Sequence, residues 1–74
     1  MKFNEIDVVR AMIPFPNEGI EEGEEGTVVV AFTVPCEAYE VEFINVDGTT
    51  KAMFTILPEH LELVWKNTYP IEIR

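Results

Sequence analysis

The sequence predicts an all-β fold, a small antiparallel barrel of about five short strands. Apolar and polar residues alternate with a period of two along most of the chain, which is typical of strands with one buried face. Prolines and glycines separate these alternating segments and indicate turns between them. The chain has 74 residues, of which 47% are apolar, and this size and composition are those of one small globular domain of roughly 50–200 residues.

The first half of the chain contains two predicted strands separated by a long loop. Residues 6–13 are largely β-branched and apolar, and Pro14 ends them. Residues 14–26 contain two prolines, three glycines and five glutamates, a composition that predicts a solvated loop. Residues 27–34 follow Gly26 and are apolar on both faces, so we expect one face in the core and the other at least partly covered.

The second half contains the remaining strands. In residues 39–43 the aromatic and valine side chains alternate with two glutamates, which predicts apolar side chains facing inward and glutamates facing outward. Asp47-Gly48 predicts a two-residue type I′ hairpin into a strand over residues 51–57. Pro58 begins one helical turn, and residues 61–64 form a short closing strand.

This order of elements is the layout of SH3-like barrels, in which a one-turn 3₁₀ element separates the last two strands. We therefore predict an SH3-like barrel domain over residues 1–64 and a C-terminal extension over residues 65–74. The extension alternates again and contains Pro70, so we expect it to pack as an edge strand on its own barrel or on a partner chain. The predicted core residues are Val9, Val28, Val30, Phe32, Val41, Phe43, Phe54, Ile56 and Leu61.

Four segments carry a resemblance to a known family. They are Asp7–Arg10, Gly26–Val29, Leu57-Pro58 and above all Tyr39–Phe43, which reads YEVEF. Together they resemble a small bacterial family with a YEVEF motif that is known only as a domain of unknown function (4926). The resemblance covers about residues 3–64 and implies no catalytic or cofactor-binding residue. The glycine-opened valine strand is also similar to KOW-type and nitrile-hydratase-β-like SH3 barrels, which is a likeness of fold alone.

Residues that catalysis would need are scarce. The chain has one histidine, His60, one cysteine, Cys36, and no serine, which excludes a Ser-His-Asp triad and leaves one cysteine–histidine pair to consider. A single cysteine also excludes an internal disulfide and a cysteine-based metal site. The acidic loop lacks the ligand spacing of an EF-hand, although weak binding of a hard cation there stays open. We therefore expect a protein that is not an enzyme and that uses no metal or cofactor.

The net charge of −9 indicates the class of partner. It disfavours nucleic acid, because phosphate contacts rest on lysine and arginine. No apolar run approaches the roughly 20 residues of a membrane span, and no signal peptide is recognisable, so we expect a cytoplasmic protein without membrane contact. A large negative field steers association with basic proteins. We therefore expect a non-catalytic acidic protein–protein interaction module, of the kind that antitoxins and immunity proteins represent.

The residues predicted to bind this basic partner are Glu18, Glu21, Glu22, Glu24, Glu25, Glu40 and Glu42. Two alternatives stay open. The chain is an accessory or chaperone-like subunit of a larger enzyme, as the nitrile-hydratase-β likeness suggests, or its acidic surface serves solubility alone and no function is readable from the sequence. A homodimer through the C-terminal tail stays open beside either function.

Overall fold

The computed structural model describes residues 2–68 as five strands and two single 3₁₀ turns. The strands are β1 (Val8–Ala11), β2 (Glu25–Phe32), β3 (Ala38–Ile44), β4 (Thr50–Ile56) and β5 (Leu61–Trp65). The 3₁₀ turns are Pro16–Glu18 and Pro58–His60. The all-β prediction is confirmed. A proline begins each 3₁₀ turn, where its missing amide hydrogen costs no hydrogen bond.

The strands form one antiparallel sheet in the order β4-β3-β2-β1-β5. Strands that follow one another pair, except that β5 returns to β1 and places Leu61 opposite Ala11. The amide of Met12 donates to the carbonyl oxygen of His60 at 2.9 Å, so the second 3₁₀ turn directs β5 toward β1. Within residues 2–68, β4 and β5 are therefore the sheet edges. The predicted strand number and antiparallel arrangement are confirmed, whereas the closure that a barrel implies is not observed.

The core lies on one face of this sheet. Six of the predicted core residues are buried, and Phe54 packs half-buried against them; the six are Val9, Val28, Val41, Phe43, Ile56 and Leu61. Phe3 and Ile20 are buried too, although the alternation does not predict them. Ile20 reaches the core because the long loop folds back on itself. The amides and carbonyl oxygens of Phe15 and Ile20 exchange two hydrogen bonds of 2.8 and 3.1 Å.

A β-bulge in β2 reverses the predicted orientation of two residues. The alternation predicts Val30 and Phe32 in the core, but they are 37% and 39% exposed. Val28 lies opposite Val41 and Val30 lies opposite the next residue along, Glu40, so Val29 is an extra residue in the ladder. One extra residue moves every later side chain to the opposite face. The core prediction is therefore wrong for Val30 and Phe32.

The hairpin between β3 and β4 has a three-residue loop. The amide of Gly48 donates to the carbonyl oxygen of Asn45 at 2.9 Å. The amide of Asn45 donates to the carbonyl oxygen of Thr49 at 2.8 Å. Gly48 has a φ of 90°, but Asp47 is not left-handed. A three-residue loop that ends in a left-handed glycine is, after the two-residue loop, among the commonest hairpin connections. The predicted type I′ turn is right in position and wrong in type, because the Asp47 carboxylate accepts hydrogen bonds from the amide and hydroxyl of Thr49 instead.

The C-terminal extension lies only partly within the described residues. Trp65 is the last residue of β5 and lies opposite Val8. The predicted edge strand or partner contact depends on residues 69–74, which lie outside the described residues. Among residues 2–68, no helix has the length and apolar character needed to cross a membrane.

Candidate functional site

Three of the predicted partner-binding glutamates lie free in the long loop. Glu18 ends the first 3₁₀ turn, and Glu21 and Glu22 follow the buried Ile20. All three are exposed, and their carboxylates make no hydrogen bond or ion pair with any other described residue. The anchoring of Ile20 in the core fixes the loop that carries them. These three charges are therefore presented to solvent on an ordered support.

Glu24 and Glu25 are instead bound to basic residues of the sheet. Both carboxylate oxygens of Glu24 lie within hydrogen-bond distance of Lys51 Nζ, at 3.0 and 3.1 Å. The hydrogen bond from the Glu21 amide, and then that from Lys51, lower the pKa of Glu24. Glu25 lies 3.3 Å from the guanidinium of Arg10. These two glutamates hold the base of the loop to the sheet, so their charge is already balanced.

Glu40 and Glu42 face outward from β3, as predicted. Each is half-buried and accepts a hydrogen bond from a threonine hydroxyl of β4, from Thr55 to Glu40 at 2.7 Å and from Thr50 to Glu42 at 2.6 Å. Neither carboxylate forms an ion pair with a described residue. The loop and the outer face of β3 thus carry two separate groups of unbalanced acidic residues.

The basic residues of the described chain are nearly all engaged within the fold. Arg10 pairs with Glu25 and with Glu62 at 3.2 Å. Lys51 pairs with Glu24, and a third basic residue, Lys66, pairs with a buried carboxylate. Four of the thirteen acidic residues within residues 2–68 thereby form ion pairs, with Arg10 shared between two of them.

That buried carboxylate belongs to Asp7, whose role as a buried hydrogen-bond acceptor no sequence pattern predicts. The Asp7 side chain has no exposed surface and accepts hydrogen bonds from the amides of Asn4 and Asn67, both at 2.9 Å, and from Lys66 Nζ at 3.1 Å. Burial raises the pKa of Asp7, but the hydrogen bonds from Asn4, Asn67 and Lys66 outweigh it, so the pKa lies below its usual value. Ile6, just before it, has a φ of 76°. Asp7 therefore joins the turn before β1 to the chain after β5. The only indication of this role in the sequence is the position of Asp7 at the start of an apolar run.

A second buried polar group holds the N-terminal segment. The Tyr39 hydroxyl accepts hydrogen bonds from the amides of Lys2 and Phe3, both at 3.0 Å, and donates to the Glu37 carboxylate. The Tyr39 ring packs edge-on against Phe3, with the ring centres 5.1 Å apart. Burial and the bond to Glu37 raise the pKa of Tyr39. This arrangement is structural, because every polar atom in it has a partner within the chain.

The two residues considered for nucleophilic chemistry are not brought together. Cys36 is exposed in the loop between β2 and β3. His60 lies in the second 3₁₀ turn, where its ring centre is 6.4 Å from that of Phe15. No hydrogen bond joins Cys36 to His60, no pocket is found in the described chain, and residues 2–68 contain no group of three residues placed to hold a metal ion.

Comparison with known proteins identifies the family. A family model described as Domain of unknown function (DUF4926) matches residues 5–63. No curated protein and no solved structure matches the chain. The matched segment extends from the turn before β1 into β5 and includes the YEVEF strand, so it confirms the resemblance to this family. The chain therefore belongs to the family of domains of unknown function DUF4926.

Proposed function

We propose that this protein is a non-catalytic acidic module that binds a basic protein. The observation that carries the proposal is the use of Arg10, Lys51 and Lys66 in ion pairs within the fold. The carboxylates of Glu18, Glu21 and Glu22 in the loop, and the two on the outer face of β3, are left without cations from the described chain. A surface with such an excess of one charge attracts oppositely charged proteins and speeds their association.

The loop is suited to the first encounter with such a partner. Glu18, Glu21 and Glu22 lie within five residues on a hairpin that Ile20 anchors. Because the hairpin is already ordered, binding costs little loop entropy. Proteins that bind nucleic acid carry basic phosphate-binding surfaces, and an acidic module can cover such a surface. In its specific form the proposal is thus an antitoxin or immunity role.

The test begins with affinity capture at low ionic strength, using the complete chain as bait and mass spectrometry to identify what it retains. Association of the purified captured protein is then measured by surface plasmon resonance between about 20 and 200 mM salt, where the Debye length falls from roughly 20 to 7 Å. We expect a basic protein whose association rate constant falls by about tenfold or more over that range. Failure to retain any basic protein, or an association rate that salt does not change, would contradict the proposal.

A charge-matched pair of variants separates the loop from net charge. Glu21→Gln/Glu22→Gln removes two charges from the loop, and Glu5→Gln/Glu59→Gln removes two exposed charges elsewhere. We expect the first variant to slow association several-fold more than the second, because steering depends on charge near the contact. Glu24 and Glu25 are left unchanged, since their substitution would free Lys51 and Arg10.

A further inference from the structure

The bulge at Val29 gives the sheet an exposed apolar surface beside the two outward glutamates. Residues opposite one another in neighbouring antiparallel strands share a face, with side chains about 5 Å apart. Val30 of β2 lies opposite Glu40, and Glu42 lies opposite Met53 of β4. Phe32 lies two residues beyond Val30 on the same face. We call Val30, Phe32, Glu40, Glu42 and Met53 the outer face.

The outer face combines exposed apolar side chains with acidic side chains. Val30, Phe32 and Met53 are 37%, 39% and 52% exposed, and no described element covers them. Glu40 and Glu42 lie between the apolar side chains of β2 and β4, with only threonine hydroxyls as partners. Val30 and Phe32 are neighbours on this face, and apolar surface rimmed by polar residues is typical of interaction sites. Here the apolar side chains supply the surface that a partner would bury, and the two carboxylates favour a partner with positive charge.

The charge of the outer face favours a basic partner over a second copy of this chain. A second copy packing here about a two-fold axis would bring Glu40 and Glu42 against their own equivalents. The described residues of the face offer no cation to balance them, so such a dimer would desolvate like charges. A segment with apolar side chains and flanking lysines or arginines instead covers Val30, Phe32 and Met53 and balances both carboxylates.

We propose that the outer face is the docking surface for the basic partner and that it binds a segment in which apolar and basic side chains alternate. The inference rests on the proposed function and deepens it. The loop glutamates speed the encounter, while the outer face makes the short-range contacts that hold the complex. Loss of apolar contacts at the outer face therefore raises the dissociation rate, whereas loss of loop charge lowers the association rate.

The test uses two octapeptides of equal charge, one alternating lysine with leucine and the other alternating lysine with serine. Binding to the complete chain is measured by isothermal titration calorimetry at low salt, and ¹⁵N NMR locates it. We expect the lysine–leucine peptide to bind about tenfold more tightly and to shift amides of β2, β3 and β4. Val30→Thr and Met53→Gln should each remove most of that difference, whereas Val46→Thr, in the fully exposed hairpin loop, should leave it unchanged.

The remaining outcomes separate this inference from the proposed function. If neither peptide binds, the proposed function fails together with the inference. If both peptides bind equally, or if the shifts map to the loop alone, the inference fails and the acidic module stands. If sedimentation equilibrium shows a dimer, and if Val30→Thr dissociates it, the outer face binds a second copy of the chain. Tighter peptide binding after truncation at Thr68 would assign it to the chain's own C-terminal residues, and either result would overturn the proposal.

Discussion

Replacing Asp7 by asparagine is expected to destabilise the fold by about 2–4 kcal/mol at pH 7. The substitution turns one of two accepting oxygens into a donor that faces an amide or Lys66, and an unsatisfied buried hydrogen bond costs about 1–3 kcal/mol. Two backbone amides and one ammonium group depend on the carboxylate. Lys66 is 44% exposed, so water reaches one side of the site and we discount its share. A 74-residue domain has a total stability of about 4–11 kcal/mol, so this loss is a large fraction.

The pH dependence identifies the carboxylate as the source of that loss. The pKa of Asp7 is lower in the folded chain than its value of about 3.9 in an unfolded chain. The unfolded chain therefore binds the proton first as the pH falls. The stability that Asp7 contributes is fully present above about pH 4 and is lost as the pH falls through the lower folded value. The difference between wild type and Asp7→Asn should accordingly shrink below about pH 4.

Urea denaturation at pH 7 and pH 3 measures both quantities, with the fluorescence of Trp65, the only tryptophan, as the signal. Glu24, Glu37 and Asp47 also have lowered pKa values, but they are unchanged in the variant and cancel in the difference. Lys66→Met is the comparison variant, because it removes one of the three hydrogen bonds to the buried carboxylate and leaves those from the Asn4 and Asn67 amides; it should cost less than Asp7→Asn. A loss below about 0.5 kcal/mol for Asp7→Asn, which is the range of substitutions without a structural effect, would refute this account, and so would a loss equal at both pH values.

Two further substitutions test the packing and the N-terminal contacts. Gly26→Ala should cost about 1–3 kcal/mol, because its Cβ would lie 2.7 Å from Val41 Cγ1 and 2.8 Å from a backbone carbonyl oxygen. Gly23→Ala, with open space but a φ of 93°, should cost about 1–2 kcal/mol from backbone strain alone. Thermal unfolding measures both losses, and a Gly26→Ala variant as stable as wild type would contradict the packing argument. Tyr39→Phe should cost about 1–3 kcal/mol, because it leaves the buried Phe3 amide without its acceptor. Hydrogen exchange of the Phe3 amide should accelerate in this variant. Unchanged protection of that amide from exchange would show that another group replaces the hydroxyl.

The sequence is informative where local chemistry alone decides the structure. Alternation in residues 39–43 and the proline at the start of Pro58–His60 act over a few residues, and the structure agrees with both. The bulge at Val29 has no comparable signal, because all its neighbours are valines and alanine and any of them could be the extra residue. Val30 and Phe32 therefore point to the opposite face from the one that strict alternation predicts.

The candidate site also combines features that local sequence predicts with features that depend on the fold. The outward orientation of Glu40 and Glu42 follows from period two and is observed. The pairing of Glu24 with Lys51 joins residues 27 positions apart, and that of Asp7 with Lys66 joins residues 59 apart. Such pairs depend on the order of strands in the sheet, which composition does not determine. Charge clustering thus locates the loop but cannot say which of its carboxylates are already balanced.

The placement of the few basic residues separates folding from binding in this protein. Arg10 and Lys51 balance Glu25 and Glu24 where the loop meets the sheet, and Lys66 balances the carboxylate that joins the two ends of the described chain. Each ion pair therefore lies where distant segments must be held together. More than half of the unpaired carboxylates of residues 2–68 lie on the loop and on the outer face. Because solvated charges contribute little to stability, these surfaces can change to suit a partner while the sheet and its core stay as they are.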